Sequence, residues 1–179
     1  LGHDAPALFG IVAEKVQVRG VEKVGPRRHA VGVDDHVVGL PAAHVEKDFW
    51  VTEVLRGVAQ QSADTGVSAI FKGGTSLSKA YGLIKRFSED VDIIVIVPSR
   101  STGSDDRCLK GFVSAAEAAT GLKSAVDPAT ATKGIKRTAV FSYPRSSTLG
   151  HLRPGVLLEL GARGGTMPTA QRRVVSLIA

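Results

Sequence analysis

The apolar positions change their period several times along the chain, and each change marks an element. Val51, Val54, Leu55 and Val58 recur at i, i+3, i+4 and i+7, and Val45 and Phe49 extend that face backward. A helix is expected over about 41–61, opened by Pro41, whose missing N–H is no loss at a helix start. Trp50 lies off the centre of the stripe and is expected to pack on a second element. Residues 60–66 read as a polar turn and 67–71 as a short buried strand. After Lys72-Gly73-Gly74-Thr75-Ser76, Leu77, Tyr81 and Ile84 share one helical face. Residues 91–97 are apolar on both faces, the mark of a central strand, and Pro98 ends it. A loop at 99–104 leads to Asp105, expected to cap a helix running to about Thr120. A variable connection over 121–134 precedes strands at 135–143 and 155–162, and Pro168 is expected to open a last helix toward Ala179. The order of elements gives a small mixed α/β (α+β) domain.

Residues 1–39 show no sustained period. Gly25-Pro26, Arg27-Arg28 and Asp34-Asp35 interrupt them, and short strands are expected only near 11–18 and 30–33. We read 1–39 as a leader of uncertain order and 40–179 as the core. At 179 residues, 43% hydrophobic and 22% charged, the chain is globular in composition and long enough to bury a core without staples. A single cysteine, Cys108, excludes an internal disulfide framework and a cysteine-based zinc cluster. The longest strictly apolar run, Ile93–Val97, is too short to span a membrane. A soluble protein of the reducing cytoplasm, with no membrane partner, is therefore expected. The net charge of +6 is uneven. Residues 1–106 hold 12 basic and 14 acidic side chains, a net of −2, whereas 107–179 hold 11 and 3, a net of +8. A basic half suits a polyanion, whether nucleotide phosphate or nucleic acid. It equally suits a merely solvated surface.

Two segments carry candidate chemistry. In Ser88-Glu89-Asp90-Val91-Asp92, a strand points Ser88, Asp90 and Asp92 to one side. Carboxylates at i and i+2 stand about 6–7 Å apart at the backbone, within reach of one or two Mg²⁺ ions that take oxygen ligands and complete their shell with phosphate. In Gly73-Gly74-Thr75-Ser76, glycine lets a backbone approach a ligand closely, and the following helix offers N–H groups to an anion. Lys79, one turn on, adds a charge. This is not the Walker loop G-x-x-x-x-G-K-[ST]. A Gly-Gly pair alone is an ordinary strand-to-helix turn, and Asp-x-Asp alone decorates many loops. Their order along the chain is more specific than either.

The stretch F-K-G-G-T-S-L-S-K-A-Y-G-L-I-K-R-F-S-E-D-V-D-I-I resembles the nucleotidyltransferase toxins of the AbiEii/AbiGii (MenT-like) type, in the polymerase β-like nucleotidyltransferase superfamily. Residues 45–52 look like the family's leading helix, and Leu157-Leu158-Glu159-Leu160 looks like its third carboxylate strand. The resemblance covers about 40–179. It implies a minimal nucleotidyltransferase core, a mixed β-sheet flanked by helices, without the helical C-terminal region that usually follows. It also implies roles. Gly73, Gly74, Thr75 and Ser76 would hold the β- and γ-phosphates; Lys79 and Ser88, by their positions beside them rather than by the resemblance, are further candidates for nucleotide binding. Asp90 and Asp92 would hold Mg²⁺, and Glu159 would join them as the third catalytic carboxylate, helping to activate the attacking hydroxyl. The implied function is a Mg²⁺-dependent toxin that moves NMP from NTP to RNA, with the tRNA 3′ end as acceptor and a cognate antitoxin as partner.

The alternative is an inactive or truncated protein of the same fold that binds nucleic acid or an antitoxin. Transfer to a small molecule such as an aminoglycoside is a lesser option. The five histidines, His3, His29, His36, His44 and His151, lack ligand spacing. Lys136, Arg137, Arg145 and Arg153 form a candidate basic stripe for RNA, or separate solubilising charges. Lys85 and Arg86 suit the end of a helix.

Overall fold

The computed structural model describes residues 15–18, 36–37, 40–84, 87–97, 101–145, 150–164 and 169–177. Two layers make up the fold, helices on one face of a mixed sheet. The strands β1 (Lys15–Val18), β4 (Ala69–Lys72), β5 (Asp90–Val95), β6 (Ser124–Val126), β7 (Lys136–Phe141), β8 (Val156–Gly161) and β9 (Thr169–Arg172) lie in the order β6-β7-β8-β5-β4-β1-β9. The pairs β5/β8 and β1/β9 are parallel, and the others are antiparallel. The short strands β2 (His36–Val37) and β3 (Leu40–Pro41) pair apart from this sheet.

Helix α1 (Ala42–Thr65) buries Val51, Val54, Leu55 and Val58, the stripe expected from the sequence. Pro41 sits at its N-cap, and Gly66, with φ +71°, ends it by donating to the Ser62 carbonyl. Phe49 is only half-buried, whereas Lys47 and Asp48 are buried on the stripe. Trp50 stacks on Tyr143, with ring centroids 5.5 Å apart. Helix α3 (Thr102–Thr120) buries Leu109, Phe112, Val113 and Ala116. The two helices meet at Gly57, where an added Cβ would stand 2.6 Å from the Ala115 carbonyl oxygen. Their shared core takes alternate residues from each strand: Phe71 of β4, Val91 and Ile93 of β5, Ala139 and Phe141 of β7, Leu158 and Leu160 of β8. Each fully buried Leu, Ile or Phe contributes about 1.5–3 kcal/mol. By period two, Lys72, Asp90, Asp92, Thr138 and Glu159 fall on the other face.

Several expectations need correction. The helix after the glycines, α2 (Gly73–Lys79), is one turn shorter than the apolar pattern implied. Gly82 and Leu83 donate back to Ser78 and Leu77, which closes it before Tyr81 and Ile84. Ser101, not Asp105, caps α3, its hydroxyl accepting from the Ser104 N–H. The connection over 121–134 contains β6. The expected last helix is instead β9, because β1 offers it a ladder partner. The leader's strand near 11–18 is present as β1. The one near 30–33, Pro98 and Lys85-Arg86 lie outside the described residues, as do His3 and His29. Among the described residues no helix is long and apolar enough to cross a membrane.

Candidate active site

Strand register assembles the site. Asp92 of β5 pairs with Glu159 of the parallel strand β8 on one side and with Lys72 of β4 on the other. Glu159 in turn pairs with Thr138 of β7. Lys72, Asp92, Glu159 and Thr138 thus form one row across four strands, with neighbours about 4.8 Å apart at the backbone. Asp90 stands two residues before Asp92 on the same face. Glu159, the third carboxylate expected from the sequence, is therefore beside Asp92.

Gly73 shows why glycine opens α2. Its φ is +78°, a conformation costly to residues with a Cβ. A Cβ there would stand 2.3 Å from the Asp92 Oδ2. The glycine turn and the Asp-x-Asp strand are thus in direct contact, and the motif leaves room for the carboxylate.

The hydroxyls next to it face inward. Thr75 is 1% exposed; its single O–H donates to the Asp90 carbonyl, and its Oγ1 stands 2.9 Å from the Ser88 Oγ, whose hydroxyl can donate to it. It fastens α2 to the first residue of β5. Ser76 is equally buried, and its hydroxyl has no hydrogen-bond partner among the described residues. Lys79 does not turn to the head of α2. Its ammonium pairs with the buried Asp48 of α1, and desolvation pulls its pKa below the ordinary lysine value against the opposing pull of Asp48. Asp48 also accepts from the Leu177 N–H at 2.8 Å and the Ser176 hydroxyl at 3.2 Å.

Each carboxylate faces a cation. Lys72 lies 3.6 Å from Asp92, Lys136 lies 3.1 Å from Glu159, and Arg153 reaches Asp90 at 4.0 Å. Burial pushes the Asp90 carboxyl above the ordinary range. Arg153 pulls it back, while Asp92 and Glu89 push it further. Arg137 leaves the proposed basic stripe. It is on the core face, bonded to Asp106 of α3 at 3.0 Å. Arg145 and His151 are exposed, and His44 packs edge-on to Phe87.

Among the described residues no three His, Cys, Asp or Glu side chains gather closely enough to hold a metal alone. Mg²⁺ does not require such a cage, since it binds through one or two carboxylates and takes its remaining ligands from phosphate and water. The all-oxygen donors and the glycine turn closed against Asp92 fit that ion.

Sequence reasoning missed the buried charges. Positions 47 and 48 continue the 51, 54, 55, 58 stripe backward, so a Lys and an Asp on an apolar face were a legible signal. Lys72 gave none, because its partner comes from another strand; Arg153 was read only as part of a basic stripe, and its contact with Asp90 was not legible.

A family model described as Nucleotidyl transferase AbiEii toxin, Type IV TA system, matches residues 56–179. No curated protein and no solved structure matches the chain.

Proposed function

The chain belongs to the AbiEii family of nucleotidyl transferase toxins of type IV toxin–antitoxin systems, and from that premise we propose that it transfers NMP from an NTP to an RNA acceptor, the tRNA 3′ end first among them. The observation that carries this reading is the register that sets Asp92 beside Glu159, with Gly73 closed against Asp92. A divalent ion bound there would supply positive charge to the α-phosphate and the departing pyrophosphate. Asp90 and Asp92 would hold it. The acceptor hydroxyl oxygen forms the new bond to the α-phosphorus, the bond to pyrophosphate breaks, and the Glu159 carboxylate takes the hydroxyl proton. Lys72 and Lys136, already at the carboxylate row, are placed to exchange those contacts for substrate phosphate. Gly73 and Gly74 let the backbone approach the phosphates, with Ser76 beneath them. Thr75 and Ser88 act at one remove by holding the start of β5. Lys79 anchors α2 rather than phosphate.

A second reading rests on the same pairs. Carboxylates matched one to one by cations also suit a non-catalytic module that binds nucleic acid or an antitoxin. One experiment separates the two. The purified chain is incubated with Mg²⁺, total tRNA and each α-labelled NTP in turn, beside an Asp90→Ala control. Label on tRNA with the wild type alone supports the transferase and names the nucleotide. No label from a chain that circular dichroism shows folded favours the binding module.

A further inference from the structure

A buried charge with every donor placed lies outside the carboxylate row. Lys47 of α1 is fully buried, and its ammonium has three N–H donors to place. It donates to the Glu89 Oε2 at 3.0 Å, to the Arg153 carbonyl at 2.8 Å, and to the Gly155 carbonyl. The Glu89 Oε2 also accepts the Arg153 N–H at 2.8 Å. Glu89 immediately precedes Asp90, the first residue of β5, and Gly155 immediately precedes Val156, the first residue of β8. One ammonium therefore ties together the leading ends of the two strands that carry the carboxylates.

Those strands need such a tie. They are parallel, so no tight hairpin sets their offset, and the chain between them passes through α3, β6 and β7. A slip of one residue would send Glu159 to the helix-covered face. The side chain of Arg153, whose backbone is held in this network, also reaches Asp90.

We propose that Lys47 is a positioning residue for the carboxylate site. From within the core it fixes the offset of β5 against β8 that places Asp92 beside Glu159, and through that offset it sets the affinity for a divalent cation. The inference rests on the reading of Asp90, Asp92 and Glu159 as a cation site.

The test is Mn²⁺ binding to the full chain, without nucleotide or RNA, followed by electron paramagnetic resonance. The variants are Lys47→Met and Asp92→Asn. Leu55→Ala, a core truncation on the same helix, serves as the stability reference, and thermal melts establish that each variant is folded. The two possible effects have opposite signs. Lys47 lies within electrostatic reach of Asp90, so loss of its charge alone would tighten cation binding. Loss of positioning weakens it, by about tenfold or more on the scale of outer-shell metal supports, while Leu55→Ala stays within about twofold of the wild type. A folded Lys47→Met protein that binds Mn²⁺ as tightly as the wild type, or more tightly, overturns the inference and leaves the cation site standing. A wild type that binds no Mn²⁺, or binds it equally well as Asp92→Asn, removes the site and the inference with it. Should Lys47→Met not fold, Lys47→Gln, neutral but with two donors, is judged by the same signs.

Discussion

Replacing Gly73 with alanine tests the contact between the glycine turn and the carboxylate strand. Two costs separate cleanly. The first is conformational: at φ +78° an L-residue with a Cβ loses about 1–2 kcal/mol. For a chain of this size that lowers Tm by about 2–8 °C, at 2–4 °C per kcal/mol. The second is steric. The new Cβ would stand 2.3 Å from the Asp92 Oδ2, where a carbon–oxygen contact settles at about 3.3–3.6 Å. The carboxylate oxygen must therefore move by about 1 Å, and a misplacement of that size at a reacting centre costs about 10²-fold in rate. Gly66 supplies the control. Its φ is +71° and a Cβ there meets nothing within 4 Å, so Gly66→Ala carries the conformational cost alone. The assay is transfer of label from α-labelled NTP to RNA at a temperature where both variants are folded, with Mn²⁺ affinity as a readout that needs no acceptor. We expect similar Tm losses, a rate near wild type for Gly66→Ala, and a rate about 10²-fold lower for Gly73→Ala. Equal rates and equal Mn²⁺ affinities in the two variants would refute the contact between Gly73 and a working Asp92.

Two titrations probe the remaining structure. Hydrogen bonds from Lys110, opposed by burial, and then from Arg137 hold the Asp106 carboxyl below the ordinary carboxylate range. Its stabilisation is therefore full above the unfolded pKa of about 3.9 and is lost as pH falls through the lower folded value. Asp106→Asn should cost about 1.5–3 kcal/mol at pH 7, and melts of the two proteins should converge below about pH 4; a gap independent of pH would contradict this. Burial, with Glu46 and Glu89 adding to it, pushes the Tyr143 phenol up to about 12. Its contribution is full below the ordinary tyrosine value of about 10 and fades as pH rises through the folded value. The phenolate absorbance lost in Tyr143→Phe should titrate near 12, and a lost component centred near the ordinary value would refute the burial argument.

Local pattern alone determined a good deal about this protein. The stripe of Val51, Val54, Leu55 and Val58 made α1, because burying one face of a helix needs only neighbours three and four apart. The apolar run after Asp92 made a central strand, and Gly73-Gly74 followed by Asp90 and Asp92 identified both halves of the candidate site. Each depends on residues close in sequence. The tertiary structure decided what depends on partners far away. β9 is a strand because β1 pairs with it, and nothing within 168–179 records that partner. Thr75 and Lys79, polar residues of a phosphate-like turn, face inward because Asp90 and Asp48 wait there. Glu159 stood in the sequence as one acid among leucines, and only the β5/β8 register puts it beside Asp92. Lys47 lay in plain view on the apolar stripe, yet its three acceptors come from segments 42, 106 and 108 residues away. Spacing along a chain fixes which residues share a face; the offset between non-adjacent strands, and the buried charges that hold it, exists only once the chain has closed on itself.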